Sequence, residues 1–176
     1  MRRLVLVAAA VFLSVLPASR AEDTPAAAAF EKLRGLVGAW RGSFQWTGAR
    51  SESGTMDVSY FLTGYGSALV ETLSVDGTAS MTSVYHLDGA DLRMTHYCGA
   101  RNQPRLKADR IDLARGIVNF SFVDATNLRS PDAPHVTGLE LGLPDSDHLT
   151  ITFLFVAGGK ESRERITLER ARPKNS

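Results

Sequence analysis

Residues 84–98 read VYHLDGADLRMTHYC, two runs of alternating side chains around an Asp-Gly-Ala-Asp tip. Alternation with period two marks a strand with one buried face, and a short Gly-containing tip joins two such runs into an antiparallel hairpin. Whether the tip is Gly89–Ala90 or the wider Asp88–Asp91, Leu87 faces Leu92. Counting outward sets Tyr85 against Met94, Ser83 against His96 and Met81 against Cys98. The opposite face collects Thr82, Val84 and His86 against Tyr97, Thr95 and Arg93. The first set is the more apolar and is expected inside. A slip of one residue would turn all of these side chains over, so this pairing decides which side of the sheet His96 and Cys98 serve.

The same alternation runs through the chain from Trp40 onward, punctuated by Gly, Asp and Pro. It predicts strands near 40–47, 54–62, 66–75, 79–88, 91–98, 104–112, 116–123, 134–143, 147–157 and 160–170. Trp40, Phe44 and Trp46 share one parity; so do Met56, Val58, Tyr60 and Leu62, and so do Leu149, Ile151, Phe153 and Phe155. One apolar face per strand is what a barrel wall requires. The single expected helix comes earlier: Thr24 caps it, Pro25 suits its first position, Phe30, Leu33 and Val37 recur at helical spacing, and Gly38 stops it. One leading helix and some ten short strands predict an all-β, antiparallel, up-and-down barrel, because closure removes the exposed edges of a meander. Only 124–133, DATNLRSPDA, reads as a long connection, placed to form a flap over one end.

The chain opens MRRLVLVAAAVFLSVLPASRA: two arginines, an apolar run too short for a comfortable membrane span, and small residues at Ser19 and Ala21. That layout predicts a signal peptide over 1–21 and one domain over 22–176, exported to a periplasmic or extracellular compartment. Export would remove Arg2, Arg3 and Arg20, leaving 17 basic against 19 acidic side chains and a formal charge of −2. With no basic excess, nucleic acid is not an expected partner, nor is a stable membrane anchor. Cys98, the one cysteine, excludes an intramolecular disulfide.

LVGAWRG, residues 36–42, resembles the Gly-x-Trp motif that begins the first strand of lipocalin-like, or calycin, barrels. Gly38 and Trp40 match the motif. The resemblance implies a short helix before it and a last-strand arginine packed across the tryptophan, for which Arg170 is the candidate. The chain is also similar to uncharacterised exported bacterial proteins of this superfamily through GSALVETL, VYHLDG, MTHYC and NQPR. That likeness covers most of 30–170 and implies a fold without an activity. The Gly-rich loop of nitrobindin-like haem barrels is absent.

A lumen lined by Trp46, Tyr60, Tyr85, Met94, His96, Cys98 and Phe153 has the apolar walls and few polar groups of a binding cavity. Glu71 joins it if a three-residue loop, Asp76–Thr78, sets it opposite Ser83; a loop of two or four residues turns it outward. A buried carboxylate must be paired or protonated, and His96 is the nearest expected partner. Asn102, Gln103 and Arg105 are expected at a rim. The expected function is lumenal binding of a small hydrophobic molecule, with no cofactor specified. The alternatives are acid–base catalysis by Glu71 and His96, and haem binding through His96. No closely spaced metal-ligand pair such as C-x-x-C appears, and Cys98 has no readable oxyanion hole to serve it as a nucleophile. His135 and His148 flank loops and read as solvated; His86 reads as a surface strand residue.

Overall fold

The protein is described here by a computed structural model over residues 24–172; the expected signal peptide lies outside them. Ten strands follow one helix: α1 (Pro25–Arg34), β1 (Gly38–Gly48), β2 (Glu52–Thr63), β3 (Ala68–Val75), β4 (Thr78–Asp88), β5 (Asp91–Tyr97), β6 (Gln103–Asp112), β7 (Ile117–Thr126), β8 (His135–Gly142), β9 (His148–Ala157) and β10 (Lys160–Arg170). Each strand pairs antiparallel with the next and β10 pairs with β1, so the sheet closes into a barrel. No helix among the described residues is long and apolar enough to cross a membrane.

The expected parity holds around the wall. Trp40, Phe44, Trp46, Met56, Val58, Tyr60, Leu149, Ile151, Phe153 and Phe155 are buried within one interior cluster. Leu87 pairs with Leu92, Tyr85 with Met94 and Ser83 with His96, as the hairpin reading requires, and His86 lies opposite Arg93 on the outer face.

The β3–β4 hairpin reaches its expected pairing by a different route. Its tip holds two residues, Asp76 and Gly77, and Val75 pairs with Thr78. Two tip residues alone would send Glu71 outward. The register shifts at Leu73/Ser74 instead, one extra residue is absorbed on β4 before Met81, and Glu71 still faces Ser83. The Ser80 hydroxyl fastens this bulge by donating to the Leu73 carbonyl at 3.1 Å.

Thr24 caps α1, its hydroxyl accepting from the Ala27 N–H at 3.1 Å. The helix ends at Gly35, three residues before the expected stop at Gly38, and Val37 is exposed rather than part of the helical stripe. Ala26, Ala29, Phe30 and Leu33 join the interior cluster. The Arg34 guanidinium donates to the Gly66 carbonyl in the β2–β3 turn at 2.9 Å, so α1 closes that end of the barrel. There Arg170 lies over the Trp40 ring at 4.3 Å from its centroid and donates to the carbonyls of Gly35, Val37 and Ser146. Gly38 has φ +128°, and a Cβ on it would meet Arg170 Nη1 at 3.3 Å. The glycine of the motif thus supplies both the turn into β1 and the room for the guanidinium.

The expected flap is shorter than the sequence suggests. β7 runs to Thr126 and takes the first three of its residues. The remainder is tied to the 98–102 turn, Asn102 donating to the Pro134 carbonyl at 2.7 Å and Asn127 to that of Arg101 at 2.5 Å.

Candidate functional site

Inside the barrel the alternation of β2, β3, β4 and β5 brings four polar side chains onto one layer. Tyr60 and Tyr85 donate their hydroxyls to the two oxygens of Glu71, at 2.5 and 3.3 Å. Ser83 stands opposite Glu71 across the ladder, and its oxygen lies 3.0 Å from His96 Nδ1. Burial raises the Glu71 pKa, and the three hydroxyls pull against that rise. Burial also holds the His96 imidazole neutral, with its pKa lowered to about 4.

Beyond this layer, at the end away from α1, lies a cavity of about 240 Å³ lined by Trp46, Arg50, Met81, His96, Cys98, Gly99, Ala100, Val136, Phe153, Phe155 and Glu164. His96 forms its floor, with its ring 4.8 Å from that of Phe153. Its second nitrogen, Nε2, is fully buried and has no partner among the described residues. Trp46 and Phe155 meet edge to face at 5.6 Å to make an aromatic wall, and the Arg50 guanidinium lies 3.8 Å above the Trp46 ring. A second hollow of about 330 Å³ shares Trp46, Arg50, Met81, Gly99 and Glu164 with the first. The Trp46–Arg50 stack therefore stands between the two hollows.

Glu164 is 4% exposed. Burial raises its pKa to about 7, against smaller opposing pulls from the Arg50 charge and the Trp46 indole. The unfolded chain releases this proton near pH 4.5 and the folded chain near 7. The contribution of Glu164 is therefore intact below about pH 4.5, declines as pH rises to 7, and stays lost above it. A shift of that size corresponds to about 3 kcal/mol. Glu164→Gln should accordingly stabilise the protein at pH 8 relative to wild type and make no difference at pH 4. Urea midpoints of the two proteins across that range measure it, and parallel pH profiles would mean that Glu164 titrates as an ordinary surface carboxyl.

Of the residues expected to line the lumen, Trp46, His96, Cys98 and Phe153 border this cavity. Tyr60, Glu71, Tyr85 and Met94 point inward but lie in the packed layer below it, outside its lining. The interior is filled at the α1 end and hollow only at the other, because the helix and the aromatic layer occupy the remaining volume. Asn102 is 3% exposed and holds loop backbone. Gln103 accepts a hydrogen bond from Thr126, and Arg105 pairs with Asp124 on the outer wall at 2.5 Å. Gln103 and Arg105 thus brace β6 against β7, and none of the three faces the cavity.

Three chemistries read from the sequence find little support in this geometry. Glu71 and His96 are separated by Ser83, and Glu71 borders no open space a substrate could reach. His96 Nε2 is the atom an axial haem ligand would use, but about 240 Å³ falls below the ~300–1,000 Å³ of pockets that hold drug-sized molecules, and a porphyrin does not fit. Burial raises the Cys98 pKa, which disfavours the thiolate a nucleophile needs. His148 is exposed and paired with Asp145, as expected of a solvated residue. His135 is not solvated: it is 7% exposed, bonded to the Ala133 carbonyl and set against the Phe122 ring at 5.2 Å. Arg50 and Glu164 escape the sequence reading. Arg50 sits in the β1–β2 turn, where nothing in its neighbours signals stacking. Glu164 was within reach, because the inward parity of Ile166 and Leu168 continues back to it.

No family model and no curated protein matches the chain. Solved structures share its fold. The crystal structure of Rv2717c from M. tuberculosis superposes with a TM-score of 0.56 at 18% identity, over 82% of this chain and 98% of that one. A protein of unknown function from the DUF3598 family, Npun_R4044 from Nostoc punctiforme PCC 73102, gives 0.53 at 16% identity over 78% of this chain. It covers 48% of that protein, so the chain spans about half its length.

Proposed function

We propose that this chain is an exported calycin-type barrel that binds a small, largely apolar molecule in the cavity between Trp46 and His96. The observation that carries the reading is an aromatic-walled hollow whose lining includes His96, a buried side chain with one ring nitrogen that has no partner among the described residues. A buried polar atom without a partner costs about 1–3 kcal/mol, which a ligand bearing the matching group would recover. The Gly38–Trp40–Arg170 arrangement supports the superfamily, and the apolar leader supports export.

Size restricts the ligand. At the ~30 Å³ that a water-sized group occupies in a liquid, the cavity takes roughly eight non-hydrogen atoms. Retinoids and long fatty acids are too large; a substituted single ring is the right scale. Burying ~150–250 Å² of such a ring at ~25 cal/mol per Å² supplies about 4–6 kcal/mol before the costs of binding.

The test is a titration of tryptophan emission with single-ring aromatics, using Trp46→Phe to separate the cavity signal from that of Trp40. Val136→Phe, which fills the cavity, should weaken binding at least tenfold while leaving the fold intact by circular dichroism. Undiminished affinity in the filled variant would place the ligand elsewhere and end the proposal.

A further inference from the structure

We infer that the cavity selects a small cation, a single-ring primary amine whose ammonium pairs with the buried Glu164 carboxylate while its ring packs against Phe153 and Phe155. This names a ligand class for the binding reading above and rests on that reading.

Glu164 is buried on the inward face of β10. Its ladder neighbours are Trp46 on β1 and Phe153 on β9, so it stands between aromatic walls, and it lines both hollows. Among the described residues no cation lies within ion-pair distance, 4.0 Å, of its oxygens. Arg50 borders the same space, but its guanidinium rests on the Trp46 face and meets the Glu52 carboxylate at 3.0 Å. That ion pair faces solvent, with 44% and 57% of the two side chains exposed. The hollows thus bring one positive group, Arg50, together with two acidic ones, Glu52 and Glu164. A buried carboxylate persists only when it is paired or takes up a proton. The occupant that balances this set is a single positive charge.

The other ligand charges fit less well. A carboxylate can reach Arg50, but it competes there with Glu52 and sets a second negative charge beside Glu164. A neutral hydroxyl can hydrogen-bond Glu164 and leaves its charge unbalanced. An ammonium meets the carboxylate directly, and the aromatic faces around it attract a cation as well. Benzylamine matches the size set by the cavity volume.

Calorimetric titration of the full chain with benzylamine, benzyl alcohol and benzoate tests this with three ligands of one shape. At pH 8, where Glu164 is ionised, benzylamine should bind at least about tenfold more tightly than benzyl alcohol, the worth of one hydrogen bond to a charged group. Glu164→Gln should bring the two within about twofold. Lowering the pH to 5 should shrink the preference in wild type, because a proton then competes for the same carboxyl. Of the other ionisable groups around the hollows, His96 is neutral and Cys98 a thiol at both pH values, and Arg50 and Glu52 form the pair described above. Benzyl alcohol binding as tightly as benzylamine overturns the ligand class and leaves the binding reading standing. Benzoate binding most tightly overturns it too and passes selection to Arg50. An amine preference that survives Glu164→Gln removes Glu164 from the recognition. Should none of the three ligands bind, the binding reading falls and the ligand class falls with it.

Discussion

Trp40→Ala should lower stability by about 3–5 kcal/mol, the cost of truncating a large buried aromatic. In a chain of this length that moves the thermal midpoint down by roughly 6–20 °C. The loss has three parts that meet at one place. The ring is 1% exposed and fills the floor of the barrel at the α1 end. Its indole N–H donates to the Leu36 carbonyl at 2.8 Å, joining the helix exit to β1. The Arg170 guanidinium rests on its face while bonding three carbonyls, so the tryptophan also braces the last strand against the first. Trp40→Phe keeps a ring for packing and for the guanidinium and should cost much less, about 1–2 kcal/mol from the lost hydrogen bond and volume. Urea and thermal denaturation followed by circular dichroism separate the two variants. A Trp40→Ala protein within about 1 kcal/mol of wild type would mean that this clamp does not hold the barrel shut.

Gly42→Ala is expected to cost at least about 3 kcal/mol, or to prevent folding, although it adds a single methyl group. The new carbon would lie 1.9 Å from the Thr167 carbonyl oxygen and 2.9 Å from its carbon, both backbone atoms of β10. Nothing there can rotate aside. The strands that close the barrel would have to separate, and the ladder from Trp40–Arg170 to Gly48–Ser162 would separate with them. Gly99→Ala makes the control, because its added carbon meets only Met81, at 4.0 Å. Equilibrium unfolding of both variants is the measurement; a Gly42→Ala protein as stable as the Gly99→Ala control would show that β1 and β10 are not held this close.

The barrel was legible because its signals are periodic and repeated. Each strand restates the same rule, and the Leu87–Leu92 match settles the register of the central hairpin without help from any other element. The site was legible in part. Trp46, His96 and Phe153 follow from parity alone. What parity cannot give is depth along the barrel axis: Tyr60, Tyr85 and Met94 share the inward face yet lie in packed core, because a face says nothing about where along the axis space remains. Arg50 was invisible for a different reason. Its position comes from a turn, and its partner, Trp46, is met through a stacking geometry that no local pattern encodes. Gln103 and Arg105 stand near the end of β6, but a rim position beside Pro104 does not distinguish the inner from the outer wall, and Arg105 pairs with Asp124 on the outside. His135 looked solvated because it flanks a loop, but that loop folds back over it.

The bulge between Leu73 and Met81 makes chain length there a chemical variable. Were one amino acid lost from that stretch with its neighbours still in register, the hairpin would turn over beyond the tip: Val70 and Thr72 would enter the barrel and Glu71 would meet bulk water. The two tyrosines would then be left without their acceptor. Length between Leu73 and Met81 is therefore fixed by the chemistry inside, just as composition at the tip is fixed by its backbone, left-handed at both Asp76 (φ +49°) and Gly77 (φ +75°).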